Sequence, residues 1–159
     1  MFAMQFHRLL LISLLLLVTC AGCFGGPQKP AGLPELHPLT LTLTQDGQPL
    51  ADAIVSLKSL DNANIWAVGG TSDTQGAVKV MTAGDFPGAP AGQYKVTVIK
   101  TETEVNGKIK TDYSVIDQKL ISSTTTLLEV DVTPGKNTAT LDVGKAVRIK
   151  VGETSEKSE

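Results

Sequence analysis

The chain is poor in the side chains on which most catalytic and metal sites depend. Its 159 residues include two cysteines, two histidines and one tryptophan, and aromatic residues make up 4%. Beyond Cys23 there is one histidine, His37, and no cysteine. The chain therefore lacks the residues for a zinc site or for a Ser-His-Asp triad on a rigid element. Its carboxylates are scattered and do not have the spacing of a calcium-binding loop. We expect no metal, no cofactor and no enzymatic activity.

The chain also lacks a basic cluster and a long apolar run. Its formal net charge is -2, so nothing favours a nucleic-acid partner. The uninterrupted apolar stretch near the amino terminus, "LLLISLLLLV", covers residues 9–18 apart from Ser13. A membrane-spanning helix needs about 20 residues. A charged start at Arg8, a short apolar run and small residues after it are instead typical of an export signal.

Both cysteines lie at the end of this signal, in "CAGC", residues 20–23. A redox pair would need a folded βαβ context, and a zinc site would need further ligands, so both interpretations are disfavoured. The segment resembles the lipobox of bacterial lipoproteins. Ala21 and Gly22 fit the positions before the modified cysteine, whereas Cys20 stands where an aliphatic residue is usual. The alternative is an ordinary cleaved secretion signal with incidental cysteines.

The lipobox resemblance implies an anchor and a location. Cys23 would carry a diacylglycerol, usually with a third, amide-linked chain, and membrane lipid would be the partner at this residue. The protein would then belong to the bacterial cell envelope. Phe24 follows Cys23 where an inner-membrane retention signal would have Asp, and this favours the outer membrane.

Composition divides the rest of the chain. Residues 24–38 include four of the eight prolines and three glycines. This composition disfavours a strand or a helix and indicates a spacer. The alternative is a tail that packs on the domain. The predicted organisation is a signal peptide at 1–22, a lipidated cysteine and Pro/Gly-rich tether at 23–38, a β-sandwich at 39–151 and a disordered tail at 152–159.

The sequence pattern from residue 39 to 151 predicts short strands separated by turns. "LTLTLT", residues 39–44, alternates apolar and polar side chains, and Asp46-Gly47 supplies a tight turn after it. Asp73 to Gly76 and Asn106-Gly107 are further turn signals, and "AVKVMT" and "YKVTVIK" are further alternating segments. No helix is expected after residue 20. The pattern predicts a single all-β, Ig-like sandwich of about seven to nine strands.

Three segments resemble the carboxypeptidase regulatory-like domain, which is a transthyretin-like β-sandwich. They are "DGQPLADAIVSL", "TSDTQGAVKV" and "PAGQYKVTV", and the resemblance covers roughly residues 39–143. The later segment "VTPGKNTATLDV" resembles the closing hairpin of small bacterial lipoproteins that carry this domain. Asp52 replaces a usual glycine, and Val78 replaces a common aromatic residue. In metallocarboxypeptidases the similar module accompanies the enzyme without being catalytic, so the resemblance implies a structural or protein-interaction role.

The aromatic residues are the candidates for binding. Tyr94 begins an alternating strand, so we expect it in the core with its hydroxyl bound to nearby backbone. The candidate binding residues are Trp66, Phe86 and Tyr113. Trp66 is expected on a strand, where a place in the core is favoured over a role as a sugar platform, whereas Phe86 and Tyr113 lie in or beside loops. The polar hairpin around Asn106-Gly107 is interpreted either as an edge that pairs with a partner strand or as a solvated hairpin.

The sequence thus predicts a non-catalytic, membrane-anchored lipoprotein whose sandwich serves as a structural or protein-interaction module. The alternative is a secreted or periplasmic module that binds a glycan or a peptide.

Overall fold

A computed structural model describes residues 28–61 and 64–152 of the chain. Cys20, Cys23 and most of the predicted tail lie outside these residues. The described strands are β1 (Leu39–Gln45), β2 (Gln48–Pro49), β3 (Ile54–Ser59), β4 (Val68–Thr71), β5 (Ala77–Lys79), β6 (Met81–Thr82), β7 (Phe86–Pro87), β8 (Gly92–Ile99), β9 (Thr101–Asn106), β10 (Ile109–Ser114), β11 (Glu129–Val132), β12 (Asn137–Asp142) and β13 (Ile149–Lys150). One 3-10 turn, Gln118–Leu120, precedes β11. This part of the chain contains no helix long and apolar enough to cross a membrane.

The strands form two large sheets and one small one. In the first sheet, β1 lies between β12 and β2 and also pairs with β5. The second sheet has the order β11-β8-β3-β4-β6-β7, and the small sheet has the order β13-β10-β9. The pairing of β1 with β12 is parallel, in a register that joins Leu39 to Asn137 and Thr44 to Asp142. Strands near the two ends of the domain are therefore neighbours.

Side chains from both large sheets share one hydrophobic core. β1 buries every second residue from its first leucine, and β3 and β8 do the same from the second sheet, as alternation requires when one face is covered. The residues that these three strands contribute to the hydrophobic core are Leu39, Leu41, Leu43, Val55, Leu57, Tyr94, Val96 and Val98. The all-β sandwich predicted from the sequence is confirmed. Eight of its strands have four residues or more, and the shorter segments were not resolved by the sequence pattern.

The predicted turns form where the turn residues are. Asp46 and Gly47 both have positive φ, 51° and 74°, as a two-residue hairpin turn of the kind that joins β1 to β2 requires. The Asp73 carboxylate accepts hydrogen bonds from the N–H groups of Gln75 and Ala77. Asn106 pairs with Ile109 at the tip of the β9–β10 hairpin. Each of these turns therefore forms at the residues that the sequence pattern indicated.

Two segments differ from the expectation. "AVKVMT" is not one strand: β5 pairs with β1 in the first sheet, whereas β6 pairs with β4 in the second. Val80, between them, is buried, so the chain passes from one sheet to the other through the core. β11 and β12 flank "TPGKN" but pair with β8 and β1, so they do not form the closing hairpin suggested by the family resemblance.

The last part of the predicted tether packs on the sandwich. We call residues 31–38 the strap. Leu33 and His37 are buried, and His37 and Ala89 exchange two backbone hydrogen bonds of 2.8 and 3.0 Å. The imidazole Nδ1 of His37 accepts a hydrogen bond from the Gly135 N–H at 3.3 Å. Packing therefore begins at Leu33, before the boundary drawn at residue 39.

Candidate functional site

Of the residues singled out from the sequence, the three that the structure describes do not form one site. Cys23 lies outside the described residues. Trp66 lies in the loop between β3 and β4, Phe86 lies in β7, and Tyr113 lies in β10 of the small sheet. Trp66 borders two clefts, and neither Phe86 nor Tyr113 lines either of them. The site therefore has to be built around Trp66 alone.

Trp66 precedes β4, and its predicted place on a strand is wrong. The amide of Asn64 fixes the local backbone: its Oδ1 accepts from the Trp66 N–H at 3.1 Å, and its Nδ2 donates to the Trp66 carbonyl at 3.4 Å. A side-chain amide that satisfies both groups of one residue replaces the ladder bonds of a strand there. The indole is half-buried, which leaves part of the ring on the surface.

The first cleft beside Trp66 has a volume of about 350 Å³. One wall comes from the strap, through Gly32 and Pro34, and another from the loop, through Ile65 and Trp66. The remaining lining residues belong to the end of β3, to the same loop, and to the start of β8 with the segment before it: Ser59, Asp61, Asn64, Pro90, Ala91 and Tyr94. The cleft is therefore assembled from segments far apart in sequence.

The second cleft is larger, about 830 Å³, and is also lined by this loop. It shares Ser59, Asn64, Ile65 and Trp66 with the first and continues along β3 to the segment that contains Ile121. Both clefts are open to solvent and have mixed polar and apolar linings. Trp66 therefore borders two surface depressions that a ligand could reach.

Polar groups in the first cleft satisfy one another. The Tyr94 hydroxyl donates to the Pro90 carbonyl at 2.8 Å, as expected for this residue, and the side chain is 1% exposed. Burial raises the pKa of the Tyr94 hydroxyl, and the nearby Asp61 carboxylate raises it further, whereas a hydrogen bond with Asn64 lowers it. The Ser59 hydroxyl donates to the Asp61 carboxylate. Within residues 28–61 and 64–152, no three His, Cys, Asp or Glu side chains lie close enough together to hold a metal ion.

Phe86 and Tyr113 occupy other surfaces. Phe86 pairs with Thr82 at the end of the six-stranded sheet and is half-buried. Tyr113 carries the Arg148 guanidinium 3.9 Å above its ring centre, and Arg148 also forms an ion pair with Glu104. The ring face that could have stacked on a ligand is thus covered by a cation from the same chain.

Sequence reasoning missed the apolar neighbours of Trp66. Ile65 is 87% exposed and Leu60 is 46% exposed, both in the same loop. The segment "SLDNANIW" contains the available signal, because a polar turn between two apolar ends predicts a loop that presents both of them. No pattern within the strap predicts that Gly32 and Pro34 line the first cleft, because their place there depends on where the strap packs on the domain.

Comparison with known proteins adds little to this description. No family model matches the sequence, and no curated protein matches it. Among solved structures, a 9R-lipoxygenase from Cyanothece PCC8801 is similar over 92% of this chain, with 13% sequence identity and a TM-score of 0.37. The chain spans 21% of the length of that lipoxygenase chain.

Proposed function

We propose that this protein is a lipid-anchored protein of the bacterial cell envelope, with Cys23 as the lipidated residue and the sandwich as a non-catalytic structural or protein-interaction module. The observation that carries the proposal is the order of the sequence: Arg8, a ten-residue apolar run, then "CAGC". The assignment of the sandwich to the carboxypeptidase regulatory-like type belongs to the same proposal and rests on the three motifs described above.

The anchor explains how a water-soluble surface can be held at a membrane. A buried lipid methylene contributes about 0.8 kcal/mol, and a single chain binds only reversibly, so several chains on one cysteine are needed for stable attachment. The strap becomes part of the sandwich at Leu33, ten residues after Cys23. The sandwich would then remain outside the bilayer while its amino-terminal end stays near it.

The edge of the small sheet supports the interaction role. All six residues of β9 are exposed, and within the described residues β9 pairs only with β10. The outer edge of β9 therefore presents unpaired backbone groups, to which a partner strand can add. Glu102 and Glu104 on this strand oppose one way of pairing two copies edge to edge, because antiparallel self-pairing centred on Thr103 places Glu102 of one copy opposite Glu104 of the other.

The decisive experiment compares the two cysteines. We expect Cys23→Ser to release the protein from the membrane fraction and Cys20→Ser to leave it attached, although the two substitutions are chemically identical. Intact mass of the membrane-extracted protein should show cleavage before Cys23 and added acyl mass. A bare Cys23 sulfur, an uncleaved leader, or release by both substitutions would contradict the proposal.

A second candidate function is a module that binds a glycan or a peptide, favoured by the two clefts that meet at Trp66. It predicts specific retention of an oligosaccharide or peptide on an array. Binding in the clefts should be lost in Trp66→Ala and kept in Phe86→Ala, because Phe86 lines neither cleft. Circular dichroism of both variants would show that the fold is retained.

A further inference from the structure

The loop between β3 and β4 carries three apolar side chains that water reaches. Leu60, Ile65 and Trp66, which we call the apolar loop residues, are exposed or half-exposed. An isolated exposed apolar residue needs no explanation, but several on one loop beside an open cleft mark an interaction surface. Ile65 has 87% of its surface in water, so it makes little contribution to the core.

The same loop lies where the strap meets the domain. Gly32 and Pro34 line the first cleft together with Ile65 and Trp66. Gly32 is the ninth residue after Cys23, and a chain of nine residues spans at most about 32 Å when fully extended. An anchor at Cys23 would therefore hold the strap within this distance of the surface of the bilayer.

We propose that the apolar loop residues insert into the interface of the membrane to which Cys23 is attached. Ile65 and Leu60 would enter the boundary of the acyl chains, and Trp66 would lie at the level of the headgroups, where its amphipathic ring is favoured. The inference rests on the proposed lipidation of Cys23. It gives the domain a second point of attachment and therefore a fixed orientation.

The contact would be apolar rather than electrostatic. Lys58 and Asp61 are the charged residues beside the loop residues, and they have opposite signs. The Asp61 carboxylate accepts a hydrogen bond from the Ser59 hydroxyl. With no basic cluster, attraction to anionic headgroups is absent, so binding should depend little on salt concentration.

The orientation has a consequence for the rest of the molecule. The first cleft is lined at the amino-terminal end of β8 by Pro90, Ala91 and Tyr94. The β9–β10 hairpin follows the other end of β8, after Ile99. A domain inserted by the loop would hold the hairpin away from the bilayer, with the outer edge of β9 accessible.

Trp66 is the only tryptophan in the chain, so its fluorescence reports on this loop without labelling. The mature lipidated protein would be reconstituted into phosphatidylcholine vesicles, with and without chains brominated near the headgroup. We expect a blue-shifted emission and quenching by bromine, both unchanged at high salt. In Ile65→Ser the ratio of inserted to withdrawn loops should fall about tenfold, so quenching should be largely lost.

Ile109→Ser is the matched control. Ile109 is 68% exposed but lies in the hairpin, so its substitution should leave the quenching unchanged. Leu60→Ser provides a second variant of the loop, and circular dichroism would show that all three variants fold.

The outcomes separate this inference from the proposed function. If mass spectrometry finds Cys23 acylated but bromine does not quench Trp66, the inference is wrong and the anchor stands. Equal quenching in wild type and Ile65→Ser would also overturn it. A Trp66 spectrum that responds to a soluble oligosaccharide but not to brominated lipid would assign the cleft to a glycan instead. If Cys23 carries no lipid, both proposals fail.

Discussion

At the scale of single residues, Tyr94 shows how far local sequence reasoning reaches. An aromatic residue after a glycine, at the start of an alternating strand, was expected to be buried with its hydroxyl on nearby backbone, and both features are present. The same reasoning was wrong for Trp66. The side-chain amide of Asn64 binds both backbone groups of Trp66 in place of strand pairing, and the alternation of apolar and polar residues gives no sign of these hydrogen bonds.

Replacing Tyr94 with Phe should lower the free energy of unfolding by about 1 kcal/mol, because the Pro90 carbonyl loses its donor while the ring packing is retained. Urea unfolding at neutral pH would measure this. Tyr113→Phe is the control, because the core does not depend on a hydrogen bond from the Tyr113 hydroxyl. If its free energy of unfolding fell as much as that of Tyr94→Phe, the explanation would be contradicted.

The same variant has a predictable pH dependence. The pKa of Tyr94 in the folded protein is raised above the ordinary value of 10.0, chiefly by burial. The folded state therefore favours the neutral hydroxyl, and its stabilising effect is complete below pH 10 and decreases as pH rises through the folded pKa. The stability difference between wild type and Tyr94→Phe should shrink above pH 10. A constant difference would show that the hydroxyl titrates equally in both states.

At the scale of strands, periodicity predicted the elements but not all of their partners. Leu39, Leu41 and Leu43 were correctly placed on one buried face because alternation is a local property. The division of "AVKVMT" between two sheets and the separation of β11 from β12 depend on which strand lies alongside, and no pattern within these segments encodes that choice. The first cleft was unpredictable for the same reason, since the strap and the loop meet only in the fold.

Hydrogen exchange should rank the strands by their surroundings. β8 lies between β11 and β3 and contributes Tyr94, Val96 and Val98 to the core, whereas β9 has one strand neighbour and is exposed throughout. We expect amides of β8 to exchange only through global unfolding and those of β9 through local opening. Mass spectrometry of peptides covering the two strands would measure this. Equal protection of both would mean that the outer edge of β9 is covered in solution.

At the scale of the whole molecule, the pairing of β1 with β12 makes the two ends of the domain interdependent. The strands are neighbours although Leu39 and Asn137 lie at opposite ends of the domain sequence. A chain that ends at Pro134 would lose β12 and with it the buried Leu141 and Val143. Contacts between distant segments form late because closing a long loop costs entropy.

We therefore expect the chain truncated after Pro134 to lack a cooperative unfolding transition. The matched control ends at Gly152 and retains every described strand, so it should unfold like the full chain. Urea titration followed by near-ultraviolet circular dichroism would compare them. A sharp transition in the shorter chain would show that β1 folds without its parallel partner.

The parallel geometry of β1 and β12 also determines how the domain would respond to tension. A pull that enters through the strap reaches β1 at Leu39, at the same end as its pairing with Asn137. If the opposing force acts on the chain beyond β12, the two strands are drawn in opposite directions along their length. Their ladder of hydrogen bonds is then sheared as a unit rather than opened one bond at a time. A load applied in this way would therefore be resisted by all the β1–β12 hydrogen bonds at once.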